Sequence, residues 1–158
     1  ERVGNAPLDQ IVVNMKLLGW VENDLKKLAT YCETVAQATH VPIPFNYPVV
    51  GRDAFRTATG VHAAAVIKAQ RRGDRFLADR IYSGVPASLV GKEQDLAIGP
   101  MSGESNVVYW LGQRGVDATD ELVKRIFTAA KACNRLLNDD EIKQVIDDYR
   151  RTKCEESI

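Results

Sequence analysis

The chain has 158 residues, 45% hydrophobic and 27% charged, with Lys+Arg and Asp+Glu balanced at 21 each. That length suits one ordinary domain or two small subdomains, and the charge balance gives no global case for nucleic acid or an anionic membrane as partner. No apolar run reaches bilayer-spanning length, no signal-peptide pattern opens the chain, and Cys32, Cys133 and Cys154 are widely spaced without a CxxC pair, which fits structural thiols in a reduced, cytoplasmic setting.

In chain order the pattern is almost wholly helical. Pro7 suits a first helical turn and is followed by an apolar stripe, Leu8, Ile11, Val12, Met15 and Leu18, that stops at Gly19. Asn23 or Asp24 is placed to cap a second helix, with Leu25, Leu28, Cys32, Val35 and Ala36 at helical spacing. Pro42, Pro44 and Pro48 then forbid a regular helix, so 41–48 is predicted as an extended connector and a boundary. A helix over about 53–71 is predicted to carry His62 and to break at Gly73, with another over 75–82. Gly99–Gly103 reads as a loop before a helix that runs to Gly112. Thr119 caps a long helix with Leu122, Val123, Ile126, Phe127, Ala130 and Cys133 on one face. Asn138 or Asp139 caps the last helix, which carries Ile142, Val145, Ile146 and Tyr149. Only 87–90 and 97–98 offer a short strand, and there is no internal repeat.

His62 and Tyr82 are the residues most able to carry chemistry. With two histidines in the chain, any acid–base proposal leans on His62, and a phenol twenty residues on could pair with it. The plain alternatives are a hydrogen-bonded core histidine and a packing tyrosine. Asn5, taken alone, reads as a helix cap. His40, ahead of the proline connector, reads as a helix-end charge, and Arg71, Arg72, Arg75 and Arg80, interleaved with Asp74 and Asp79, as a solvated face. Gly99-Pro100-Met101-Ser102-Gly103-Glu104-Ser105 lacks the Gly-Lys-Ser/Thr ending of a phosphate loop.

The order of the motifs adds a resemblance. Glu1-Arg2-Val3-Gly4-Asn5-Ala6 resembles the Gly-Glu-Arg-x-Gly-Asn-Ala signature of 2-isopropylmalate, homocitrate and citramalate synthases, without its first glycine. The helix 24–39, Val41-Pro42-Ile43-Pro44 and Pro48-Val49-Val50-Gly51-Arg52-Asp53-Ala54-Phe55 follow in the family's order. Thr59-Gly60-Val61-His62 resembles its Ser-Gly-Ile-His, and Tyr82 stands nine residues before Gly91, as the family tyrosine stands before its Val-Gly. The likeness covers roughly 1–115. The family's Gly-Lys-His-Ser-Gly-Arg-His stretch keeps only Gly99, Ser102 and Gly103 here.

The resemblance implies a mainly α chain: helical subdomains following the last βα unit of a TIM barrel whose earlier strands are absent. It divides the chain into 1–45 (barrel end and following helices), 46–92 (a linker subdomain with His62 and Tyr82) and 93–158 (a helical subdomain). It makes Asn5 a ligand of a divalent metal, Mg2+ or Mn2+, and lets Glu1 and Gly4 line the substrate pocket near the acetyl thioester. His62 and Tyr82 become acid–base residues that lie over a neighbouring subunit's barrel in a homodimer with shared sites. The implied reaction is Claisen addition of acetyl-CoA to a 2-oxo acid, then thioester hydrolysis, with 2-isopropylmalate synthase of leucine biosynthesis as the first choice. Homocitrate and citramalate synthases are the alternatives, and a non-catalytic helical dimerisation or regulatory-coupling module is the different-class one. The earlier metal-ligand segments are missing, so the expectation is a C-terminal piece of a larger acyltransferase that is inactive alone.

Overall fold

The computed structural model describes residues 4–155. Those residues form seven α-helices, α1 (Leu8–Leu17), α2 (Leu28–Thr39), α3 (Gly60–Arg71), α4 (Arg75–Arg80), α5 (Glu104–Gln113), α6 (Asp120–Ala132) and α7 (Asp139–Glu155). A 3-10 turn spans Ala87–Val90, and β1 (Arg56–Thr57) pairs with β2 (Asp95–Leu96). The mainly helical expectation holds. No described helix is long and apolar enough to cross a membrane. The chain folds as two compact units, Glu1–Arg56 with Asp79–Gln94, and Thr57–Ala78 with Asp95–Ile158.

The first unit gathers Val13, Leu25, Phe55, Ala87 and Val90 into a core. Its helices depart from the predicted pattern in two ways. Asp24 accepts from the Lys26 N–H, so it closes a turn rather than capping α2, and Leu25 is buried ahead of the helix. The α1 stripe is largely outward: Leu8 is 68% and Leu18 62% exposed, while the buried side chain is Val13. The connector 41–48 is irregular, as its prolines require. His40 ends α2 in the left-handed region with φ 57.

The second unit is a stack in which α3 packs on α5, α5 on α6 and α6 on α7. Leu111, Ile126 and Ile142 are essentially fully buried at its centre, each worth about 1.5–3 kcal/mol against exposure. The α6 start read from sequence is observed: the Thr119 hydroxyl accepts from Leu122 N–H, and α6 buries Leu122, Val123, Ile126 and Ala130. The predicted helix over 53–71 starts only at Gly60. The segment before it turns and then extends, with Phe55 buried in the first unit's core and the Thr57 carbonyl accepting from Ala97 N–H. These contacts override local helical propensity. The predicted 75–82 helix closes two residues early, at Arg80. Of the two strand candidates, 87–90 is the 3-10 turn, and the observed strand lies just before 97–98.

Helix α7 opens with a reciprocal cap. Asn138 Oδ1 accepts from Glu141 N–H at 2.9 Å and Glu141 accepts from Asn138 N–H at 2.8 Å. Arg135 grips the same carboxylate with two guanidinium nitrogens. The Arg135 bonds first, and the Asn138 amide second, hold the Glu141 carboxyl at about 2, against 4.5 ordinarily. A depressed carboxyl stabilises the fold above its unfolded value and loses that contribution as pH falls through the folded one. Glu141→Gln is therefore expected to flatten the acid dependence of thermal stability between about pH 4.5 and 2. Parallel melts at several pH values check this. Equal slopes for both proteins would refute it, since Glu121, also lowered by Lys153 and Arg125, is common to both.

Candidate functional site

His62 sits in the first turn of α3 with an exposed side chain. The core-histidine reading is thus overturned: α3 turns Ala63, Val66 and Ile67 inward and leaves His62 outward. The turn that presents it is tightly held within the second unit. Gly60 N–H donates to Met101 O at 2.9 Å. The Ala58 carbonyl accepts from the Ser102 hydroxyl at 2.6 Å and from the Asn106 amide at 3.2 Å. A Cβ on Gly60 would meet the Gly103 backbone nitrogen at 2.6 Å, so the two backbones can approach this closely only with glycine there.

Tyr82 lies just beyond α4, 49% exposed. Its loop is pinned from both sides within the first unit. The Asp79 carboxylate accepts from Ala87 N–H at 2.8 Å and from the Ser88 hydroxyl at 2.6 Å, so it caps the 3-10 turn. The Gln94 amide donates to Asp79 O and to Ser83 Oγ. His62 belongs to the second unit and Tyr82 to the first, so each is placed by its own scaffold.

Glu1 lies outside the described residues. Gly4, with φ +96, and Asn5 form an exposed lead into α1. Asn5 does not cap that helix: Pro7 holds the cap position in an extended conformation and no side-chain cap bond is made. Asn5 is two residues too early. Among the described residues, no group of three or more His, Cys, Asp or Glu is placed to hold a metal ion. One neutral amide oxygen falls far short of the six or so ligands such cations take, so these residues by themselves do not fit the implied metal.

Sequence reasoning missed a groove in the first unit, with a cavity of about 390 Å³ between α1, α2 and the proline connector. Tyr47 donates to Asp9 Oδ1 at 3.3 Å in it, and Asp9 Oδ2 is buried without a partner. Burial, then the Asp9 charge, push both the Tyr47 phenol and the Cys32 thiol up. Cys32 is thereby kept a thiol, poorly suited to nucleophilic work. No spacing rule links Asp9 to Tyr47 across 38 residues. A second cavity, in the second unit, holds Arg114, Lys143 and Arg150, but Asp139, Asp140 and Asp147 neutralise them in turn.

Within the 99–105 stretch, the retained Gly99 and Ser102 are buried and Gly103 half-buried. Ser102 is 3% exposed and clamped, whereas Met101 is 70% exposed and Glu104 lies on the surface. The Ser102 hydroxyl, through Ala58 O, and the Met101 carbonyl, through Gly60 N–H, both hold the start of α3.

No protein-family model matches the chain. Curated proteins do. The chain is 35% identical over 121 residues to an (R)-citramalate synthase of Aquifex aeolicus, covering 74% of this chain and 21% of that protein. It is 29% identical over 134 residues to a homocitrate synthase of Methanopyrus kandleri, covering 84% and 32%. It is 28% identical over 156 residues to a 2-isopropylmalate synthase of a Bradyrhizobium species, covering 94% and 28%. The chain therefore spans between about a fifth and a third of the length of these relatives. Three differently named synthases align with most of the same chain; the chain belongs to the family of citramalate, homocitrate and 2-isopropylmalate synthases.

Proposed function

We propose that this chain is the C-terminal part of an acetyl-CoA-dependent enzyme that condenses the acetyl group with a 2-oxo acid. In that reaction the acetyl methyl carbon loses a proton and bonds to the ketone carbon. Water then cleaves the thioester and releases free CoA. His62 and Tyr82 serve the proton transfers and the activation of water, work that contributes about 10²–10⁴-fold. The observation that carries this reading is the exposure of His62 on a turn whose approach is fixed through the Ala58 carbonyl by Ser102 and Asn106. A histidine kept only for packing has no reason to point out of α3.

Residues 1–45 are the end of a TIM barrel and its following helices in this proposal, 46–92 the linker and 93–158 a helical subdomain. What supports the first assignment is the apolar surface on α1 and beyond it: Leu8, Leu18 and Trp20 are 68%, 62% and 71% exposed. Large apolar side chains left this exposed offer surface for further protein to cover. Asn5 would give one oxygen to a divalent metal whose other ligands lie elsewhere in the enzyme, and Glu1 and Gly4 would line the pocket beside it. When bound, that metal polarises the ketone. A homodimer with shared sites completes the reading.

Among oxo acids, the motif resemblance leads to 2-oxoisovalerate and hence 2-isopropylmalate. A second reading, pyruvate and citramalate, is favoured by the 35% identity to a citramalate synthase. The test is CoA release from acetyl-CoA with magnesium by the full-length enzyme, given 2-oxoisovalerate, pyruvate, 2-oxoglutarate or no oxo acid. The expected result is release that requires both metal and oxo acid, fastest with 2-oxoisovalerate. A different preferred acid replaces the substrate and keeps the chemistry. Well-folded protein without dependent release refutes the condensing function.

A further inference from the structure

The 98–106 segment does more than connect β2 to α5. Ser102 links three backbone positions: its hydroxyl donates to Ala58 O at 2.6 Å, lies 3.4 Å from Ala97 O and accepts from Gly99 N–H at 2.9 Å, and it is buried. Asn106, fully buried, satisfies all of its amide hydrogens and its oxygen at the same point. Its Nδ2 donates to Ala58 O at 3.2 Å and Ala97 O at 3.0 Å, and its Oδ1 accepts from Gly103 N–H at 3.2 Å. From α6, the Lys131 ammonium donates to Pro100 O at 2.6 Å and Ser102 O at 3.1 Å. Buried polar groups cost stability unless paired, and fully paired networks specify one arrangement. The arrangement specified here is the approach to α3. Ala58 lies two residues before Gly60, the first residue of the helix, and His62 two residues after it.

We propose that Ser102, Asn106 and Lys131 are positioning residues for His62: through Ala58 O and the 99–103 backbone they fix the first turn of α3, and so the place from which the imidazole acts. This rests on the condensing-enzyme reading for its catalytic half. None of the three needs to touch substrate. A reacting group displaced by about 1 Å can lose about 10²-fold in rate, so a clamp of this kind acts on turnover rather than on binding.

The test compares Ser102→Ala, Ser102→Thr, Lys131→Met and His62→Ala in the full-length enzyme, well below each melting temperature. Lys131→Met keeps the aliphatic stem at an exposed position and guards against failure of the buried variant to fold. Histidine-selective carbon-13 labelling gives an imidazole signal for His62, assigned by its loss in His62→Ala. Ser102→Ala is expected to lower kcat about tenfold or more with KM within about threefold. It should also broaden or split the His62 signal. Lys131→Met should do the same less strongly, and Ser102→Thr should restore both readouts. If His62→Ala abolishes turnover while both clamp variants keep wild-type kcat and a single sharp His62 signal, the clamp is refuted and the condensing reading stands. If His62→Ala itself leaves turnover unchanged, the catalytic reading fails, and the positioning role for the reaction fails with it.

Discussion

Replacing His62 by alanine is expected to lower turnover of the full-length enzyme about 10²–10⁴-fold while leaving the oxo-acid KM nearly unchanged. Removing only the phenolic oxygen, by Tyr82→Phe, is expected to give a loss in the same range. His62 is exposed on α3 and Tyr82 is 49% exposed on its loop, so neither fills the core and neither change opens a cavity there. A catalytic role and a packing role therefore predict opposite pairs of outcomes. Catalysis moves kcat and spares the melting curve. A non-catalytic dimerisation module would lose dimer or melting temperature and spare kcat. Steady-state kinetics beside a thermal melt and a sedimentation measurement separate them, and unchanged turnover in both variants would end the catalytic assignment.

The order in which the structure became legible follows the range of the interactions. Helix starts that depend on a side chain and an amide three residues on, Thr119 with Leu122 and Asn138 with Glu141, could be read directly. So could the amphipathic face of α6, because period and burial coincide there. The start of α3 could not. Nothing local forbids a helix over 53–59; what does so is Phe55 buried in one core and Thr57 bonded to Ala97, forty residues away in sequence. The stripe on α1 misled for the opposite reason: its periodicity is real, but Leu8, Ile11 and Leu18 stay exposed while Val13, outside the stripe, is buried.

The candidate site divides in the same way. His62 and Tyr82 stand out in the sequence as an imidazole and a phenol able to share a proton, the motif order implies acid–base roles for them, and the structure adds that His62 is presented outward. What holds them was invisible in sequence. Ser102 reaches Ala58 across 44 residues and Asn106 across 48, and neither pairing leaves a periodic trace. Asp79, read beforehand as one acid in a solvated basic stretch, turns out to bind the amides of Ala87 and Ser88. A charge run cannot reveal that one of its members faces backbone.

The scaffold beneath Tyr82 makes the largest stability prediction. Gly91 ends the 3-10 turn with φ +76, and a Cβ there would stand 1.9 Å from the Lys26 carbonyl oxygen. An alanine therefore meets two separate obstacles. The left-handed conformation costs about 1–2 kcal/mol for a residue with a Cβ. The overlap is with main chain, which cannot rotate aside as a side chain would, and overpacking of this kind adds about 1–3 kcal/mol. Gly91→Ala is thus expected to destabilise by about 2–5 kcal/mol, read as a shift of the denaturant midpoint. Gly73→Ala supplies the comparison, because Gly73 has φ +74 and nothing within 4 Å of its would-be Cβ. It should incur only the conformational cost. The difference between the two variants isolates the contact between the 3-10 turn and the segment ahead of α2. Val90 and Ala87, both fully buried in the same core, tie that contact to the loop bearing Tyr82. Equal destabilisation by the two alanines would mean that the turn does not rest on Lys26.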